Sequence, residues 1–163
     1  MEGEPAIIVD LPDLAATTAL GRRLAGLLQP GMVVGLVGPL GAGKTHLVRA
    51  IAEGLEISNP AAVSSPTFVL IHEYSARIPI YHFDAYRLAG IADFTDLGAD
   101  EYFAGDGVCL VEWADHVRAA MPADWLEVRL TPTGQQSRQV MLIPRGSRSR
   151  EVAIAFSSVD PAA

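Results

Sequence analysis

From Met32 to Val37 the chain runs Met-Val-Val-Gly-Leu-Val without a polar side chain, and Gly38-Pro39-Leu40-Gly41-Ala42-Gly43-Lys44-Thr45 follows directly. An unbroken apolar run of this kind suits a strand covered on both faces. The segment after it matches G-x-x-x-x-G-K-[ST], a phosphate-binding loop. Residues through Ala50 to about Gly54 then read as a helix. Strand, glycine-rich loop and helix in this order place the loop at the carboxyl end of a buried strand, where open α/β sheets gather their ligands. The glycines let successive backbone N–H groups curl toward one point, and the helix adds its positive N-terminal end. Lys44 is expected to reach the β- and γ-phosphates of a nucleotide, and the Thr45 hydroxyl to ligate Mg²⁺.

Composition sharpens the reading of Lys44. Of 12 basic side chains it is the only lysine; the others are arginine. A compact ammonium between phosphate groups is a task for which a planar guanidinium is a poor substitute. The single lysine also excludes a guanine-recognition motif of the form Asn/Thr-Lys-x-Asp, so ATP is the expected nucleotide. The 163 residues suit one domain, with 50% hydrophobic and 19% charged residues marking a globular chain. A formal net charge of −7 repels nucleic acid unless cations cluster locally. The one cysteine, Cys109, excludes an internal disulfide and, with no visible signal peptide or membrane-spanning run, leads to the expectation of a cytoplasmic protein.

Along the chain, Ala6 to Leu11 reads as a strand and Leu14 to Leu28 as a helix capped by Asp13. Phe68 to Tyr74 and Ile78 to Phe83 read as a hairpin, and Ala89 to Phe103 as two short helices. Val108 to Val111 reads as a buried strand. Trp125 to Leu130, Arg138 to Ile143 and Val152 to Phe156 read as an antiparallel meander, with a frayed tail from about Ser157. Asp84 and Glu112 each follow a buried strand, where a carboxylate can hold Mg²⁺ or its water. Arg145, Arg148 and Arg150 suit either a clamp for a second substrate or a solvated edge hairpin, the latter being the simpler reading. His82 reads as structural or as a support behind the site. Cys109 reads as a small core residue. Trp113 stands either in the core or against nucleotide or partner, and Arg87 either in solvent or facing phosphate or a partner.

Several segments together resemble one family. Gly41-Ala42-Gly43-Lys44-Thr45, Ser65-Pro66-Thr67-Phe68, His82-Phe83-Asp84-Ala85-Tyr86-Arg87-Leu88, Leu97-Gly98 with Glu101-Tyr102-Phe103, and Leu110-Val111-Glu112-Trp113 occur in this order. From about Thr17 to Arg118 the chain resembles the TsaE family, the small ATPases of bacterial tRNA threonylcarbamoyladenosine biosynthesis. The resemblance implies a P-loop NTPase three-layer α/β sandwich with a mixed, mostly parallel sheet and antiparallel C-terminal strands. It implies ATP and Mg²⁺ as ligands, and TsaB and TsaD as partners. TsaD transfers the threonylcarbamoyl group to adenosine 37 of tRNAs reading codons that begin with A, and the TsaE-like subunit hydrolyses ATP to reset the complex, meeting tRNA only through it.

By motif match, Gly38 to His46 would hold the nucleotide, with Lys44 on the phosphates and Thr45 and Glu112 on the metal. Asp84 would act near the metal and the attacking water. Ser65, Pro66, Thr67 and Phe68 would form a switch sensing the γ-phosphate. The family usually has a second hydroxyl residue after Lys-Thr where this chain has His46, which removes one α-phosphate contact but leaves the backbone N–H. Asp13 to Thr18 is the segment to inspect for adenine contacts. Two other readings stay open: a small-molecule kinase, and a nucleotide-sensing module without turnover.

Overall fold

The computed structural model describes residues 6–64, 70–86, 88 and 90–158. Seven strands form one sheet: β1 (Ile7–Leu11), β2 (Val33–Val37), β3 (Ile71–Tyr74), β4 (Ile80–Asp84), β5 (Val108–Glu112), β6 (Leu126–Pro132) and β7 (Arg138–Pro144). Their order across the sheet is β1-β7-β6-β2-β5-β4-β3. The run β6-β2-β5-β4 is parallel, whereas β3, β7 and β1 join antiparallel to their neighbours. The apolar run therefore lies mid-sheet, and all five residues of β2 are buried.

Alternation along each strand divides the core between the two sheet faces. Val34, Leu36, Leu110, Val128 and Leu142 pack with Leu20 and Leu24 of α1 (Leu14–Ala25) and with Leu47 and Ile51 of α2 (Lys44–Gly54). Val33, Val37, Phe83, Cys109 and Val111 pack on the opposite face. Their cover is Phe94 of α3 (Ile91–Asp96), Ala99 of α4 (Ala99–Phe103), and Ala114 and Val117 of a 3₁₀ segment (Ala114–Ala120). Each aliphatic side chain buried to this degree contributes roughly 1.5–3 kcal/mol relative to exposure. The result is the expected three-layer α/β sandwich. Asp13 caps α1 as its position suggested, its carboxylate accepting from the Ala16 N–H at 2.8 Å.

The C-terminal part departs from the sequence reading. Only two strands of the expected meander form, because Val152 to Phe156 lies in α5 (Ser147–Ser158). Ser149, Val152, Ala153 and Phe156 are its buried residues, a spacing of three, four and seven that fits a helical stripe. Asp124 supplies the N-terminal cap from a distant loop, accepting from the N–H groups of Arg148 at 2.7 Å and Ser149 at 3.1 Å. Ser157 and Ser158 are the last two residues of this helix. The arginines expected on an edge hairpin are not there. Arg145 pairs with Glu127, and Arg148 lies in the first turn of α5 and donates to the Pro30 carbonyl. Among the described residues no helix is long and apolar enough to cross a membrane.

Candidate functional site

The loop between β2 and α2 turns through two left-handed glycines, Gly41 (φ 81°) and Gly43 (φ 99°), a conformation that side chains with a Cβ adopt at a cost. Gly43 is also the N-cap of α2 and provides no side-chain cap. The first N–H groups of α2 thus face the loop without a capping oxygen, the arrangement that binds anions at helix N-termini. An open cleft of about 450 Å³ lies over them, lined by Gly41, Gly43, Lys44, Thr45, His46, Asp84, Glu112 and Trp113, with Leu40 and Tyr86 at its rim. The carboxylates expected at strand ends and the loop residues expected to hold phosphate are therefore gathered in one place. Gly38 and Pro39 join this site through their carbonyls, and Ala42 is buried beneath the loop.

Lys44 is 5% exposed and folded back on its own loop. Its Nζ donates to the Gly38 carbonyl at 2.7 Å and the Pro39 carbonyl at 2.9 Å, and sits 3.9 Å from the centre of the Trp113 ring. Burial lowers its pKa, while Glu112, Asp115 and Asp84 oppose that shift. Trp113 holds a left-handed backbone (φ 59°, ψ 41°), a strained state for a bulky residue. Its ring lies 4.8 Å from that of Tyr86 and 5.1 Å from that of His116, and Trp113 both lines the cleft and packs against the core cluster beneath it.

Glu112 ends β5 in the sheet's interior and is 2% exposed. It accepts from the Thr45 hydroxyl at 3.0 and 3.2 Å, and its Oε2 lies 2.5 Å from His82 Nε2. His82 is fully buried and fixes the carboxylate from behind, the supporting role its place one turn of pleat before Asp84 suggested. Asp84 lies opposite Glu112 in the parallel register, with Oδ1 accepting from the Tyr86 N–H at 2.9 Å. Among the described residues no group of three or more His, Cys, Asp or Glu converges as a complete protein cage for a metal. A hydroxyl against a buried carboxylate fits Mg²⁺, which keeps several waters and takes one or two protein oxygens together with substrate phosphates.

The His46 ring is tied to α1, its Nε2 lying 3.0 Å from the Thr18 hydroxyl. The segment Asp13 to Thr18 therefore abuts the start of α2, with Asp13 committed to capping. Cys109 is buried in the core, and burial pushes its thiol up to about 12, away from the thiolate form. Ser65, Pro66, Thr67 and Phe68, the expected switch, and Arg87 lie outside the described residues.

One site residue had no sequence signal. Arg138, at the start of β7, is 9% exposed and grips the outside of the phosphate loop. Its Nε donates to the Ala42 carbonyl at 2.7 Å and its Nη2 to the Gly41 carbonyl at 3.3 Å. Its Nη1 reaches the carbonyls of Gly134, Gln135 and Ser137 in the β6–β7 turn. By holding two carbonyls outward, it favours the peptide orientation that turns loop N–H groups inward.

Comparison with known proteins agrees with this architecture. The family model described as "Threonylcarbamoyl adenosine biosynthesis protein TsaE" matches residues 11–140. The "tRNA threonylcarbamoyladenosine biosynthesis protein TsaE" of Bacillus subtilis is 42% identical over 125 residues, covering 76% of this chain and 77% of the relative. The protein of the same name from Haemophilus influenzae is 33% identical over 154 residues, covering 91% and 96%. The crystal structure of Bacillus subtilis YdiB superposes with a TM-score of 0.77 at 32% identity, covering 94% of this chain and 95% of that one. The chain thus belongs to the TsaE family of tRNA threonylcarbamoyladenosine biosynthesis proteins.

Proposed function

We propose that this protein binds ATP and Mg²⁺ and hydrolyses ATP as the nucleotide-driven subunit of a cytoplasmic complex with TsaB and TsaD. That complex threonylcarbamoylates adenosine 37 in tRNAs reading codons that begin with A. The observation that carries the ATPase reading is the Thr45–Glu112 pair, set beside a glycine-turned loop and a buried lysine in one cleft. Membership in the family supports the pathway.

In this reading the inward N–H groups of the loop and of α2 take the phosphate oxygens. The Lys44 ammonium exchanges the carbonyls of Gly38 and Pro39 for the β- and γ-phosphates. Thr45 and Glu112 would hold Mg²⁺, which when bound would supply charge neutralisation to the phosphates. His82 keeps Glu112 oriented. Asp84, one strand away at the same depth, accepts a hydrogen bond from the attacking water and aligns it. Water adds to the γ-phosphorus, the bond to the β–γ bridging oxygen breaks, and ADP and inorganic phosphate leave.

The kinase alternative would place a cationic clamp over the cleft. Arg145, Arg148 and Arg150 do not line it, which removes that support. The test is Mg²⁺-dependent ATP hydrolysis by the purified chain, alone and with TsaB and TsaD. Stimulation by the pair, and loss of binding and turnover in Lys44→Ala, are expected. An active Lys44→Ala would overturn the site assignment. Phosphate transfer to a metabolite would favour a kinase, and tight ATP binding without turnover in any mixture a sensing module.

A further inference from the structure

The sheet is covered unevenly. On the face that carries Val33, Val37 and Cys109, the helical cover lies over β2, β5 and β4. On the same face of β6, β7 and β1, cross-strand partners bring together Arg129 with Met141, Glu127 with Ile143, and Ile8 with Met141. Ile8, Met141 and Ile143 belong to neither core cluster, although their strand neighbours Ile7, Val9, Val140 and Leu142 pack into the core on the other side. Ile8 is 57% exposed. Met141 and Ile143 are half-buried, so Ile8 is the exposed member of the three.

This apolar strip is bordered by three arginines on one carboxylate. Glu127 is fully buried and accepts from Arg118 at 2.8 Å, Arg129 at 2.6 Å and Arg145 at 2.9 Å. The three guanidinium side chains stay 44%, 43% and 40% exposed. Glu127 and Asp115, which also acts on Arg118, set two negative charges against three positive, leaving a small local surplus of cation in a chain whose net charge is −7. Arg118 also lies 5.6 Å from the centre of the Trp125 ring. The patch adjoins the nucleotide site: Arg129 pairs with Val37, the residue before the phosphate loop, and Arg118 lies on the 3₁₀ segment that leaves Glu112 and Trp113.

We propose that this open half-sheet is the docking surface for a protein partner whose face presents carboxylates among apolar side chains. Arginine and methionine are among the residues that protein interfaces enrich, and here they stand beside the exposed Ile8. A phosphodiester backbone would use the arginines but leave Ile8, Met141 and Ile143 without a counterpart, and the overall negative charge would oppose it. The proposal rests on the reading above, in that the partner surface is supplied by TsaB or TsaD.

Isothermal titration of the full chain into the purified TsaB–TsaD pair tests it, with ATP and Mg²⁺ present. Arg129→Glu addresses the charge. Ile8→Glu addresses the apolar strip from an exposed position outside the arginine cluster, where folding does not depend on it. Each is expected to weaken Kd by about tenfold or more, binding of the unsubstituted chain is expected to weaken with added salt, and ATP hydrolysis by the isolated variants is expected to stay unchanged. Unchanged affinity in a folded Ile8→Glu overturns the surface while leaving the proposed function standing. Failure of the unsubstituted chain to bind the pair overturns both. Binding of purified tRNA by the chain alone, lost in Arg129→Glu but kept in Ile8→Glu, overturns the protein-partner assignment in favour of a nucleic-acid surface.

Discussion

Glu127→Gln should reveal how much of this protein's stability depends on one buried charge. Burial by itself would raise the Glu127 pKa, but hydrogen bonds from Arg118, Arg145 and Arg129 reverse that and hold it at about 2, against an ordinary value of 4.5. A carboxylate held that far down corresponds to about 3 kcal/mol of folding stability. The sign follows from linkage. A depressed folded pKa gives stability that is complete above about 4.5 and lost as pH falls toward about 2. Glutamine keeps the shape and one acceptor oxygen but removes the charge. The arginines are half-exposed and can return to water, so the cost stays nearer 3 kcal/mol than the upper end for broken buried pairs. Urea unfolding at pH 7 should show a loss of about 3 kcal/mol, a large share of the 5–15 kcal/mol typical of domains. Repeated between pH 4.5 and 2, the gap between the two proteins should close. A pH 7 loss below about 1 kcal/mol, or a gap that persists undiminished at pH 2, would refute the reasoning, the second by assigning the cost to packing.

Three further outcomes are expected. Arg138→Met frees the Gly41 and Ala42 carbonyls and should raise the KM for ATP by about tenfold with a smaller change in kcat, partly recovered in Arg138→Lys; steady-state ATPase assays separate the two parameters, and an unchanged KM would show that the loop holds its shape unaided. His82→Leu leaves Glu112 with Thr45 but without its rear support and should weaken apparent Mg²⁺ affinity by about 10–100-fold in magnesium titrations of activity. Gly35→Ala would set a Cβ 2.4 Å from one Trp125 ring carbon and 2.8 Å from the Ala114 Cβ; overpacking of about 1–3 kcal/mol should appear as a lower melting temperature, and an unshifted transition would mean that the tryptophan has room to move.

The parts of this protein legible in its sequence are those whose chemistry is local. The run from Met32 to Thr45 declares a buried strand, its loop and its helix within fourteen consecutive residues. Asp84 and Glu112 are legible because the strands before them are apolar and end at a carboxylate. What escaped depends on partners far along the chain. Arg138 acts on Ala42 across 96 positions, and nothing beside it in the sequence marks that contact. Glu127 sits in a strand pattern as an ordinary polar alternation, and only the fold brings Arg118 and Arg145 to it. The C-terminal helix was misread for a related reason. Its buried stripe begins at Ser149, a polar residue, and its cap comes from Asp124 rather than from the residues just before it.

The strand order also bears on how the chain assembles. β2, β5 and β4, which carry the phosphate loop, Glu112 and Asp84, all lie within residues 33–112. β1 precedes the other six strands in the sequence, yet its neighbour in the sheet is β7, so Ile7 meets Leu142 only after the five strands between them have been made. Pairings so distant in sequence are slow to form, because the loop they close must be ordered before any contact rewards it. β1 therefore waits for β7 before this pairing can form. Until β7 arrives, Arg138 is missing as well, so the phosphate loop is threaded early and locked late.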